Sequence, residues 1–135
     1  MKIKVSEATG TMLDWLVAKC EGWDSEKYMM WPDIRKDAHG KVIGIMVPKG
    51  RSYIWFRPST DWAQGGPIIE REEIELHKWA VDGWVAKATN YMFLNTPQEK
   101  PEFAEQYGPK PLIAAMRCYV ASKLGEEVEV PDGLR

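Results

Sequence analysis

Apolar positions change their spacing several times along the chain, and each change marks an element. At the amino terminus Ile3 and Val5 share a face opposite Lys2 and Lys4, the period-2 pattern of a short strand. From about residue 11 to 21 the spacing becomes helical. Met12, Leu13, Leu16, Val17 and Cys20 recur on one face, Thr11 with Asp14 forms an N-terminal capping pattern, and Gly22 stops the run. Between Trp23 and Phe56 short apolar stretches alternate with turn residues. Strands are predicted at 28–31, 42–47 and 52–56, with turns at Asp37 to Gly40 and Pro48 to Gly50. Ile43, Ile45 and Val47 would share a face, and the strand at 52–56, apolar on both faces, reads as a central one.

Beyond residue 70, the runs Ile74–Trp79 and Trp84–Ala88 flank Asp82-Gly83, a hairpin signal, although the Glu and Lys content of 68–80 also fits a helix. Four prolines between 95 and 111 predict a long loop. The clearest helix follows at 111–124. Pro111 suits its first turn, Leu112, Ile113, Met116, Tyr119, Val120 and Leu124 form a wide apolar face, and Gly125 ends it. Val128 and Val130 then suggest a short final strand. The predicted fold is α+β: a mainly antiparallel sheet with two helices, at about 11–21 and 111–124, packed on one face.

Composition narrows the class. A chain of 135 residues is most simply one domain, and 44% hydrophobic with 28% charged residues is the balance of a folded soluble protein. A net charge of −2, with no block of five like charges, disfavours grip on duplex nucleic acid. No apolar run approaches the roughly 18 residues that span a bilayer, and the amino terminus lacks the stretch of a signal peptide, so a cytoplasmic location without membrane contact is expected. Cys20 and Cys118 read as free core thiols. Seven tryptophans are many for this length; the simplest expectation is that most fill the core.

Candidate chemistry concentrates in Arg57-Pro58-Ser59-Thr60-Asp61-Trp62-Ala63-Gln64-Gly65-Gly66-Pro67 and on to Glu70. Rigid and permissive backbone positions mix there with hydroxyls, a carboxylate, an amide and an indole, which predicts a shaped binding loop. In that reading Trp62 stacks on a flat group, with Trp31, Tyr53 and Trp55 on neighbouring strands. Ser59, Asp61 and Gln64 hydrogen-bond it, Thr60 adds a hydroxyl, and Gly65 with Gly66 present amides to an anion. Arg57 could meet a phosphate, though pairing with Asp61 is the simpler expectation. No metal or cofactor is expected: His39 and His77 belong to no ligand cluster, and no GxGxxG or GxxxxGK[ST] pattern occurs. Asp61 with Glu70, Glu72 and Glu73 leaves a carboxylate hydrolase as one alternative.

The run from Pro58 to Glu72, the run from Gly108 to Gly125 and the segment Leu13 to Gly22 resemble the phage NinX family of temperate phages. The resemblance implies a small accessory protein made inside the infected bacterium, and no catalytic residue comes with it. Pro58-Ser59 and Asp61-Trp62 are also faintly similar to elements of small phage proteins that sequester nucleotide-derived immune signals. The expectation is therefore a non-enzymatic protein of the host cytoplasm that binds a small nucleotide-like ligand, such as an immune signal, at Arg57, Ser59, Thr60, Asp61, Trp62, Gln64, Gly65 and Gly66. An aromatic patch engaging a host or phage protein is the alternative. The surplus of aromatics also suggests a homo-oligomer.

Overall fold

The computed structural model describes residues 1–23, 32–89 and 103–134. Its elements run β1 (Lys2–Lys4), a 3-10 turn (Val5–Glu7), α1 (Gly10–Cys20), β2 (Asp33–Lys36), β3 (Val42–Lys49), β4 (Ser52–Trp55), α2 (Trp62–Arg71), β5 (Glu75–Lys78), β6 (Trp84–Thr89), β7 (Phe103–Gly108), α3 (Pro111–Leu124) and β8 (Glu127–Glu129), with a last 3-10 turn at Asp132–Leu134. The α+β class holds. The strands are divided among three small antiparallel sheets, ordered β1-β8, β2-β3-β4 and β5-β6-β7. The strand predicted at 28–31 lies outside the described residues.

α3 is the centre of the molecule. Every residue from Ala114 to Val120 is buried, because the helix packs on β6 and β7, on α1 and on α2 at once. Pro111 takes its first helical position and Gly125 ends it with φ +91°, as the sequence pattern predicts. Truncating a fully buried side chain here, such as Met116→Ala, would cost about 2 to 5 kcal/mol. α1 covers β3, so the two predicted helices touch one another but rest on different sheets. β1 and β8 bring the chain ends together, with Ile3 opposite Val128.

Several expectations are corrected. Thr11 and Asp14 do not cap α1: Thr9 is the N-cap residue, without a side-chain bond, and Asp14 is buried within the helix. β4 is an outer strand of the described sheet with Tyr53 more than half exposed, and β3 is the central one. The register between β2 and β3 shifts so that Arg35 faces Gly44 and Lys36 faces Val42. Ile43 is the extra residue, and the bulge turns it outward while Ile45 and Val47 stay in the core. Residues 103–108, inside the predicted long loop, form β7, which pairs with β6 along its length.

The segment around residue 62 departs most from expectation, because it is a helix. Over 68–80 both readings are partly realised: α2 runs to Arg71, the chain reverses at Glu73 with φ +51°, and β5 then pairs with β6. The β5–β6 connection is longer than Asp82-Gly83 alone, since Lys78 faces Trp84 and the Trp79 amide donates to the Gly83 carbonyl.

Candidate functional site

Residues 57–66 form a tight turn followed by the first turns of α2. The Arg57 carbonyl accepts from the Thr60 and Asp61 amides, and Asp61 is the N-cap, its Oδ1 accepting from Ala63 N at 2.9 Å. Asp61 with Gln64 three positions on is the residue pattern of a capping box, a local signal that a helix begins here. Gln64, however, reaches past the cap. Its Oε1 accepts from the Arg57 amide and its Nε2 donates to the Trp55 carbonyl at 2.7 Å, so the side chain ties α2 to the end of β4.

Gly65 and Gly66 lie inside the helix, and the Gly65 amide donates to the Asp61 carbonyl instead of facing an anion. A Cβ on Gly65 would lie 2.4 Å from the Pro58 carbonyl oxygen and 2.6 Å from Leu112 Cδ2; on Gly66 it would meet nothing within 4 Å. Gly65 is thus required for the approach of α2 to the 57–60 turn and α3, whereas Gly66 is not.

Ser59 is only 2% exposed and faces inward. Its amide donates to Asp14 Oδ1 at 2.9 Å, linking the turn to α1. The Ser59 hydroxyl lies near the Asp14 carboxyl and helps its ionised form, yet has no partner with hydrogen-bond geometry. Burial dominates and pushes the Asp14 carboxyl up to about 6, against opposing contributions from Ser59 and from the positive charge of Arg57. Asp14 is the polar residue that sequence reasoning placed wrongly. A carboxylate at a position flanked by Leu13, Trp15 and Leu16 was the available sign that it points into the fold.

Four of the eight residues expected to bind remain on the surface: Arg57, Thr60, Asp61 and Trp62. The Arg57 guanidinium stacks on the Trp55 ring at 5.1 Å and makes no ion pair with Asp61, contrary to expectation. Trp62 is 54% exposed at the first position of α2. Of the described tryptophans only Trp15 is buried, so the expectation that most fill the core is not met. Trp31 lies outside the described residues. Asp61 and Glu70 stand nine residues apart across α2, roughly 14 Å along its axis. That exceeds the roughly 5 to 9.5 Å between paired glycosidase carboxylates, and Glu72 meets Lys123 at 3.0 Å. No group of three or more metal-ligating side chains occurs among the described residues.

A model of the family described as Bacteriophage P22, NinX matches residues 4–123. The chain belongs to the NinX family. The match takes in α1, the 57–66 turn, α2 and almost all of α3, so the elements that shape this face are part of the NinX domain. No curated protein matches the chain. No helix among the described residues of this NinX protein is long and apolar enough to cross a membrane.

Proposed function

We propose that this NinX-family protein is a non-enzymatic phage accessory protein that binds, and so sequesters, a small nucleotide-like ligand in the cytoplasm of the infected bacterium. The supporting observation is the pairing of an exposed indole, Trp62, with a guanidinium held on a second indole, Arg57 on Trp55, at one end of α2. An exposed ring suits a base, and a cation at the start of the turn that precedes α2 suits a phosphate. In this reading Thr60 and Asp61 add polar contacts at the rim. Ser59, Gln64 and Gly65 hold the shape through Asp14, Trp55 and Leu112, and Gly66 leaves room beside the helix.

The face is open on one chain. A second copy would enclose it, so the proposal includes a homo-oligomer, and sedimentation as a monomer at micromolar concentration would remove that part. Calorimetry against cyclic and ADP-ribose-type nucleotides tests the reading, followed by heating the complex to recover unaltered ligand. Trp62→Ala should weaken binding by about 1 to 3 kcal/mol, roughly 5- to 150-fold. Absence of heat across the panel would refute it.

A protein partner is the second reading, favoured by the exposure of both Trp62 and Trp79. Stoichiometric recovery of one host or phage protein from infected cells, lost with Trp62→Ala, would establish it instead.

A further inference from the structure

α3 carries one charge in its buried stretch, Arg117, which is 8% exposed. Buried guanidinium groups are ordinarily paired with a carboxylate. Here Nε donates to the Ala8 carbonyl and Nη1 to the Tyr107 carbonyl, both at 2.8 Å, and Nη2 has no acceptor among the described residues. Desolvation lowers its proton affinity, and it forms no ion pair among the described residues. An arginine remains cationic at neutral pH after such a change. Nη2 is also not sealed from solvent, because Ser59 Oγ is the one fully enclosed polar side-chain atom without a partner among the described residues.

Arg117 opens into a hollow of about 340 Å³ between the β5–β6 turn and the end of β7. Its walls are aromatic. Trp79 and Tyr107 meet edge to face at 4.9 Å and 64°, with 56% and 43% of their surfaces exposed, and Trp84 lines the hollow as well. Gln106, a buried polar residue, also lines it. A guanidinium with no carboxylate partner among the described residues, an amide and three rings surround one cavity, and together they suit a flat polar molecule with a negative charge.

We infer that this hollow binds a small ligand built from a single flat ring system and one oxyanion, the anion on Arg117 and the ring against Trp79 and Tyr107. The size limit follows from the volume, which lies at the small end for ligand sites. The charge limit follows from the rim. Asp82 lines the hollow, and an adjoining one that shares Ser6, Gln106 and Tyr107 is edged by Glu105, Glu126 and Glu127 against one cation, Lys4, with Glu105 also meeting Lys87 and Glu127 meeting Lys2, so the rim keeps a net negative charge. Those carboxylates would repel a polyphosphate but leave room for one negative charge. Two chemistries share the ring-plus-oxyanion pattern, a cyclic mononucleotide and an aromatic carboxylate. The site is separate from the α2 face and does not depend on it.

Tryptophan fluorescence of the full chain, titrated with 3′,5′-cyclic AMP and with 2-naphthoate, tests the inference against their uncharged counterparts adenosine and 2-naphthamide. The expected result is saturable quenching by at least one anion, at least tenfold tighter than by its neutral counterpart; which anion wins identifies the chemistry. Trp79→Ala removes a ring that is more than half exposed and should leave the chain folded while weakening binding at least tenfold. Arg117→Met should abolish the preference for charge. If that variant fails to fold, Trp79→Ala and the charged-to-neutral ratio decide. Trp62→Ala should bind these probes as the parent does. Loss of probe binding in Trp62→Ala with full affinity in Trp79→Ala would place the probes on the α2 face and overturn the inference. Equal affinity for charged and neutral probes, full affinity in Trp79→Ala, or no saturation below about 1 mM overturns the inference.

Discussion

Replacing Gly65 with alanine should weaken the fold, while the same change at Gly66 should leave it nearly unaltered. At position 65 the new methyl would sit 2.4 Å from the Pro58 carbonyl oxygen and 2.6 Å from Leu112 Cδ2. Leu112 can shift its tip a little, but the carbonyl cannot withdraw. It belongs to a turn anchored on both sides, by the Arg57 carbonyl holding two amides and by Asp14 holding the Ser59 amide. Overpacking of this kind costs about 3 kcal/mol, and the better helix propensity of alanine returns about 1, leaving about 2 kcal/mol of net destabilisation. At position 66 no atom lies within 4 Å of the new methyl. The propensity gain there is opposed by the following Pro67, whose ring disfavours a helical residue bearing a Cβ, so the net change should stay within about 1 kcal/mol of zero. Equilibrium unfolding in guanidinium, followed by tryptophan fluorescence, measures both. The thermal midpoint of Gly65→Ala should fall by roughly 8 °C. A Gly65→Ala protein as stable as the parent, or a Gly66→Ala protein that is the less stable of the two, would refute the claim that α2 is held by a close backbone approach at Gly65.

Three further outcomes are expected. Because burial raises the Asp14 carboxyl to about 6, the folded state binds this proton more tightly than the unfolded chain does. The contribution to stability is complete below about pH 4 and is lost as pH rises through 6. Asp14→Asn should therefore be more stable than the parent by on the order of 2 to 3 kcal/mol at pH 7.5, with the gap closing below pH 4; parallel stability curves across that range would contradict this. Asp61→Ala removes the cap on Ala63 N and should lower stability by about 1 kcal/mol, whereas Asp61→Asn should lose much less, as read by urea unfolding. Burial pushes both the Cys20 and Cys118 thiols up to about 12, so a thiol reagent at pH 8 should label the part-buried Cys20 slowly and Cys118 only at the rate of opening of the fold, and immediate labelling of Cys118 would contradict its burial.

Local patterns carried the parts of this protein that local physics decides. Helical spacing, Pro111 and Gly125 marked α3, alternation marked β1, β3 and β8, and Asp82-Gly83 marked the β5–β6 hairpin. The residue pattern from Pro58 to Glu72 likewise pointed to the NinX family. Tertiary contacts decided the rest. Gly65, Gly66 and Pro67 read as part of a shaped loop, yet α2 forms because its N-cap is supplied by Asp61 and because only glycine at 65 lets it press against Pro58 and Leu112. The polar groups of 57–66 looked available for a ligand in sequence. The backbone of Trp55 and Arg57 then claimed the Gln64 side chain, and the Asp14 carboxylate claimed the amide of buried Ser59, leaving Arg57, Thr60, Asp61 and Trp62 outside. Asp14 and Arg117 each stand in a helical run of apolar residues, and spacing along one helix cannot tell which side a neighbouring element will cover. Burial of α3 from several directions placed Arg117 beneath aromatic rings, a juxtaposition between residues far apart in the chain that no window of sequence contains.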